Sequence, residues 1–153
     1  VIRPYEYYQR FWSEYCESGH GFIMFAYDGE QLASADFIMT LGQKASRKDA
    51  GSTRRKTTRG IPALLVLETI RELKKRGMTD YDLCGAPPSK HIKDKNHPLF
   101  GVGQFKVGFN SQVTDYVGTF LLPVRPVQAK IWQRGAEKLV RAAYYRLKHQ
   151  AWY

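Results

Sequence analysis

Residues 81–109 read YDLCGAPPSKHIKDKNHPLFGVGQFKVGF, and this stretch decides how the chain is organised. A short strand predicted over residues 79–83 runs into Gly85 and stops at Pro87-Pro88, because proline cannot serve a central ladder. A polar loop follows, carrying Ser89, Lys90, His91, Lys93, Asp94, Lys95, Asn96 and His97. Phe100, Gly101, Gly103, Phe105, Lys106 and Phe109 then form a compact aromatic and glycine segment, predicted as a short helix over 100–108. Loops leaving a buried strand end are where sites are commonly built. Lys106 stands alone between Phe105 and Val107, so its ammonium must reach water or meet an anion.

Upstream, residues 4–17 predict a helix: Pro4 suits a first turn, and Tyr5, Tyr8, Trp12 and Tyr15 share a face. Gly19 to Gly21 would end it. The unbroken apolar run 22–27 predicts a buried strand, Asp28-Gly29 a hairpin turn, and 31–41 the returning strand. A third strand is expected over 44–50 and a loop of Gly, Ser, Thr and Arg over 50–60. Pro62 opens a helix to Arg76, with Leu64, Leu67, Ile70 and Leu73 inward. Lys74, Lys75 and Arg76 complement the negative end of that helix, and Gly77 stops it.

Downstream, a strand is expected over 113–122. Pro123 and Pro126 separate it from a C-terminal helix over 127–149, whose apolar face is Trp132, Ala136, Leu139, Val140, Ala143 and Leu147. This order suits an α/β (α+β) fold: a mixed, mostly antiparallel central sheet with helices on both faces.

The length of 153 residues fits one domain. Hydrophobic residues make up 43% and charged residues 25%, which excludes a disordered chain. The net charge of +10 and sequence pI of about 9.7 favour anionic partners: nucleic acid, phosphorylated substrates or an anionic membrane. Cys16 and Cys84 are too few for a disulfide framework and read as reduced, buried thiols of a cytoplasmic protein. No apolar run approaches the ~20 residues of a membrane span, which leaves only peripheral contact with a membrane surface open. A chain opening on Val1 rather than Met reads as part of a longer protein.

Tyr81, Asp82 and Gly85 at a strand end, then Gly101, Phe105, Lys106 and Phe109, then an extended segment containing Gly118, resemble the Fem family (FemA, FemB, FemX and their relatives). The resemblance implies the GNAT-like acyltransferase fold, used twice in one chain, with residues 1–153 as the second, C-terminal copy and an N-terminal GNAT-like domain as its partner. It implies transfer of an amino acid from aminoacyl-tRNA to the stem peptide of a peptidoglycan precursor, UDP-MurNAc-pentapeptide or lipid II. No cofactor is implied, because the ester supplies the driving force. By the same resemblance Lys106 and Phe105 become the catalytic candidates. Arg3, ahead of Tyr7-Tyr8, becomes a candidate contact for the precursor's phosphates.

Each reading has a rival. Lys106 could be an amphipathic-helix lysine facing solvent, and Arg3 an ordinary surface arginine. The basic run Lys44, Arg47, Lys48, Arg54, Arg55, Lys56 and Arg59 contains one acid, Asp49. It suits RNA phosphates, with Arg54, Arg55, Lys56 and Arg59 as the tRNA contact candidates, or a face that is merely solvated. A divergent N-acetyltransferase using acetyl-CoA is the rival enzyme. Thr57 and Pro62 argue against it: they stand where the pyrophosphate loop of such enzymes has Gln or Arg and then Gly or Ala, and Pro62 has no N–H to donate. A non-catalytic RNA-binding module is the rival from another class. Cys84, His91 and His97 lack metal-ligand spacing, so no metal site is expected. Asp82, a lone acid at a strand end, could serve as a general base but reads first as a structural hydrogen-bonding acid.

Overall fold

The structure is a computed structural model that describes residues 3–53, 55, 58–118 and 120–149. Arg54, Lys56 and Thr57 lie outside the described residues. The chain falls into two compact units. One is residues 12–115, and the other joins residues 1–11 to 116–153.

In the first unit, β1 (Gly21–Asp28), β2 (Gln31–Leu41) and β3 (Lys44–Ser52) form an antiparallel meander, and β4 (Asp80–Asp82) adds parallel to β3. The hairpin between β1 and β2 turns at Gly29 (φ 62°), a left-handed position that glycine takes without steric cost. Side chains alternate between the faces of β2. On one face Ile38 packs with Ala45 and Leu73, joined by Phe22, Met78 and Tyr81. On the other, Phe37 meets Trp12 at 6.1 Å and Tyr15 at 6.4 Å between ring centroids. Trp12 and Tyr15 come from α1 (Tyr5–Glu17), and Leu73 comes from α2 (Ile61–Lys75). The result is an α/β fold with a mixed four-strand sheet and helices on both faces, consistent with a GNAT-like architecture.

α2 starts beside Pro62, as the sequence predicts, but its inward face is Leu65, Val66, Thr69 and Leu73. Leu64 and Leu67 are exposed. The run Ile-Pro-Ala-Leu-Leu-Val-Leu is apolar all round, so periodicity sets no phase there and the sheet chooses it. β1 is an outer strand rather than a buried one, and it leaves Phe25 and Tyr27 exposed. Cys16 is exposed and Cys84 half-buried, against the expectation of two buried thiols. β3 extends to Ser52 and takes the start of the expected loop.

No ladder forms over the expected strand 113–122 among the described residues. Strand propensity alone does not hold a strand: its N–H and C=O groups need a neighbouring backbone. Gly118 also breaks the extended path at φ 92°. The expected C-terminal helix 127–149 is two helices, α4 (Pro126–Ile131) and α5 (Glu137–Lys148). They meet at a kink where Gly135 leaves helical geometry (φ 135°, ψ −12°). Among the described residues no helix is long and apolar enough to cross a membrane. β4 and the following helix α3 (Phe100–Val107) position the site.

Candidate active site

The site begins where β4 ends. The Cys84 N–H donates to Asp82 Oδ1 at 2.7 Å, a local turn that fixes the chain direction. Cys84 (φ 55°) and Gly85 (φ 41°) are both left-handed. For a cysteine that conformation costs on the order of 1–2 kcal/mol, so the surroundings must hold it. They do so through Lys106, whose Nζ donates to the carbonyl oxygens of Cys84 and, at 2.7 Å, Gly85. Two of the three ammonium donors are thereby used, and one remains.

Lys106 reaches this turn because α3 lies against Pro87. A Cβ at Gly103 would sit 2.7 Å from Pro87 Cδ and 3.0 Å from Ile92 Cδ1, so only glycine permits the approach. At Gly101 a Cβ would meet nothing within 4 Å. Phe105 is fixed edge-to-face on Phe109, ring centroids 5.3 Å apart. His91 and His97 stack at 6.1 Å, and His97 Nδ1 accepts the Leu99 N–H at 3.1 Å, so these rings serve the loop itself.

Between α3, the β4 turn, β3 and the start of α2 lies a cavity of about 920 Å³. Arg47, Lys48, Arg55, Arg59 and Lys106 line it together with Phe105, and no acid among the described residues does. Lys106 and Phe105, the predicted pair, therefore sit in one cavity with Arg55 and Arg59. Arg55 is braced by a hydrogen bond from Nη1 to Gln31 Oε1. The buried Thr58 hydroxyl lies 3.0 Å from the carbonyl oxygens of both Thr53 and Arg55, between which its single O–H proton is shared. Arg3 belongs to the other unit, where its guanidinium lies 4.2 Å from the Tyr7 ring centroid.

Two residues of the basic run acquire a role that sequence reasoning did not single out. The β2–β3 register shifts between Phe37 and Ile38: Phe37 pairs with Asp49, Ile38 with Arg47, and Lys48 is the extra residue. Such a bulge re-aims side chains. Asp49 goes to the Phe37 face, where its Oδ2 accepts the Trp12 Nε1–H at 3.1 Å. Arg47 goes to the Ile38 face and lines the cavity beside Lys48. Arg47 is forked onto Asp36, with Nε to Oδ2 at 2.7 Å and Nη2 to Oδ1 at 2.6 Å. The available signal was Asp36 itself, an acid in the middle of a strand otherwise fit for burial.

Burial pushes the Lys106 ammonium below the ordinary lysine range. The neighbouring Cys84 works against that and Arg47 adds to it. Burial, with Asp82 second, pushes the Cys84 thiol up, so at neutral pH it is a thiol and not a nucleophilic thiolate. Burial also raises the Tyr81 phenol, which stays neutral.

A cationic cavity with an aromatic wall, at the end of a short parallel strand, suits an anionic substrate that also carries an apolar or planar part. A model of the FemAB family matches residues 23–136, which includes β2, β3, β4, α2 and α3 and every described lining residue of the cavity. No curated protein matches the chain. The protein belongs to the FemAB family, whose members are transferases of peptidoglycan biosynthesis.

Proposed function

We propose that the protein transfers an amino acid from aminoacyl-tRNA to an amine on the stem peptide of a peptidoglycan precursor. The observation that carries this reading is the cavity, lined by five cations and no acid among the described residues, with Phe105 beside Lys106. An RNA 3′ end offers what such a cavity can hold: phosphates for the cations and a base for the aromatic wall. In the reaction the acceptor amine forms an N–C bond to the ester carbonyl and the C–O bond to the ribose breaks. The proton lost by the amine ends on the ribose hydroxyl. Negative charge develops first on the carbonyl oxygen and then on the leaving oxygen. Lys106, held by two carbonyls with one donor left, is the group that meets that charge. Losing such a donor typically costs about 10²–10³ in rate.

On this reading the sheet unit is the second of two GNAT-like domains, and an N-terminal copy completes the acceptor site. Arg3 contacts the precursor's phosphates, and the chemistry takes place in the cytoplasm without a cofactor. The full-length protein, given charged tRNA and UDP-MurNAc-pentapeptide or lipid II, should deacylate the tRNA only when the acceptor is present. Micromolar binding of acetyl-CoA by calorimetry would favour the acetyltransferase reading instead. Tight tRNA binding with no transfer to either acceptor would favour an RNA-binding module.

A further inference from the structure

Arg47 and Asp36 form a bidentate ion pair whose side chains are 10% and 0% exposed. A buried pair contributes little to stability on its own, because desolvation offsets the attraction. Its placement calls for another account. Without the bulge at Lys48, residues 47 and 49 would share a face of the sheet, as alternate strand residues do. With it, Arg47 lines the cavity while Asp49 turns to Trp12. Asp36 takes Nε and one Nη2 hydrogen of the guanidinium. Arg47 Nη1 has no partner among the described residues. The ring of Phe105 lies 5.7 Å from Cζ, so the plane is held on a second side. A guanidinium fixed in this way directs its three remaining N–H donors, two on Nη1 and one on Nη2, in a fixed plane, which a lysine could not reproduce.

We infer that Arg47, turned into the cavity by the bulge and clamped by Asp36, binds a phosphate of the RNA donor, with Asp36 as its positioning residue. This rests on the aminoacyl-tRNA reading and extends it to a cation on the sheet floor, distinct from the loop arginines.

The test uses the full-length protein, with an RNA hairpin ending in a single-stranded 3′ tail as probe and pyrophosphate as competitor. Anisotropy is read over a range of KCl. The paired variant D36L/R47M replaces the ion pair by apolar side chains of similar size, a change that commonly leaves folding intact. It should melt within a few degrees of wild type, bind the RNA at least about tenfold more weakly, and lose about one unit of the log–log salt slope. R47K, which keeps the charge but not the fork, should weaken pyrophosphate competition several-fold. RNA binding and salt slope unchanged in D36L/R47M would make the pair purely structural and overturn the inference. Should the paired variant fail to fold, R47K decides, and unchanged pyrophosphate competition overturns the inference in the same way. Failure of the wild type to bind RNA would refute the aminoacyl-donor reading, whereas pyrophosphate binding that depends on Arg47 would still uphold Arg47 as a phosphate group.

Discussion

At the scale of single residues, Lys106 does two jobs that mutation can separate. It ties the left-handed Cys84-Gly85 turn, and on the proposed mechanism it meets the developing charge. Lys106→Ala should therefore lower kcat by about 10²-fold or more, with a smaller change in KM. Removing the tie should also cost about 1–2 kcal/mol of stability, read as a lower Tm. Lys106→Arg keeps charge without a compact ammonium and should rescue activity only in part. The direction of the lysine's shift gives a pH prediction. The ammonium exists below its pKa and is lost above it, and burial has lowered that pKa. The wild-type rate should therefore fall on the alkaline side earlier than an ordinary lysine would dictate, and Lys106→Arg should lose that limb because a guanidinium stays charged. A pH profile of kcat for both proteins checks this. An identical limb in both would assign it to another group.

At the scale of elements, α3 is placed by absences of side chains, and its two glycines predict opposite outcomes. Gly103→Ala puts a methyl 2.7 Å from Pro87 Cδ. It should destabilise by roughly 1–3 kcal/mol and reduce activity by displacing Lys106. Gly101→Ala meets open space on the cavity side. It should raise stability by up to about 0.5–1 kcal/mol through helix propensity while narrowing the cavity and raising KM. Thermal melts with steady-state kinetics on the two variants test the pairing of effects. The elements also show what the sequence made legible. β2, the hairpin turn and the start of α2 were readable because Asp28-Gly29 and Pro62 set them locally, β3 was readable as the next strand in order, and α3 was readable from its compact aromatic and glycine segment. The inward face of α2 was not, since an all-apolar first turn has no phase. The lack of a ladder among the described residues of 113–122 was not, because pairing is decided by a backbone elsewhere in the chain. The kink at Gly135 was open to suspicion, but a glycine in a helical pattern does not by itself reveal a positive φ.

At the scale of the whole molecule, the charge of +10 is spread unevenly, and part of it converges on one cavity. Lys106 and Phe105 were nominated through the resemblance to the Fem family, and Arg55 and Arg59 through the basic run that contains them. Arg47 and Asp36 could not be joined from sequence, since a bulge decides which face Arg47 takes. If the loop cations contact RNA phosphates, the double change Arg55→Ala with Arg59→Ala should weaken tRNA binding and flatten its log–log salt dependence by about one unit per lost contact. An unchanged slope would return these two residues to solvation.

The central claim is tested most directly by mass spectrometry of the acceptor. Full-length protein would be incubated with charged tRNA and UDP-MurNAc-pentapeptide or lipid II. The account predicts an acceptor heavier by one aminoacyl residue, linked through a new amide and formed only with charged tRNA. An acceptor left unmodified with charged tRNA, but acetylated when acetyl-CoA is supplied, would contradict it.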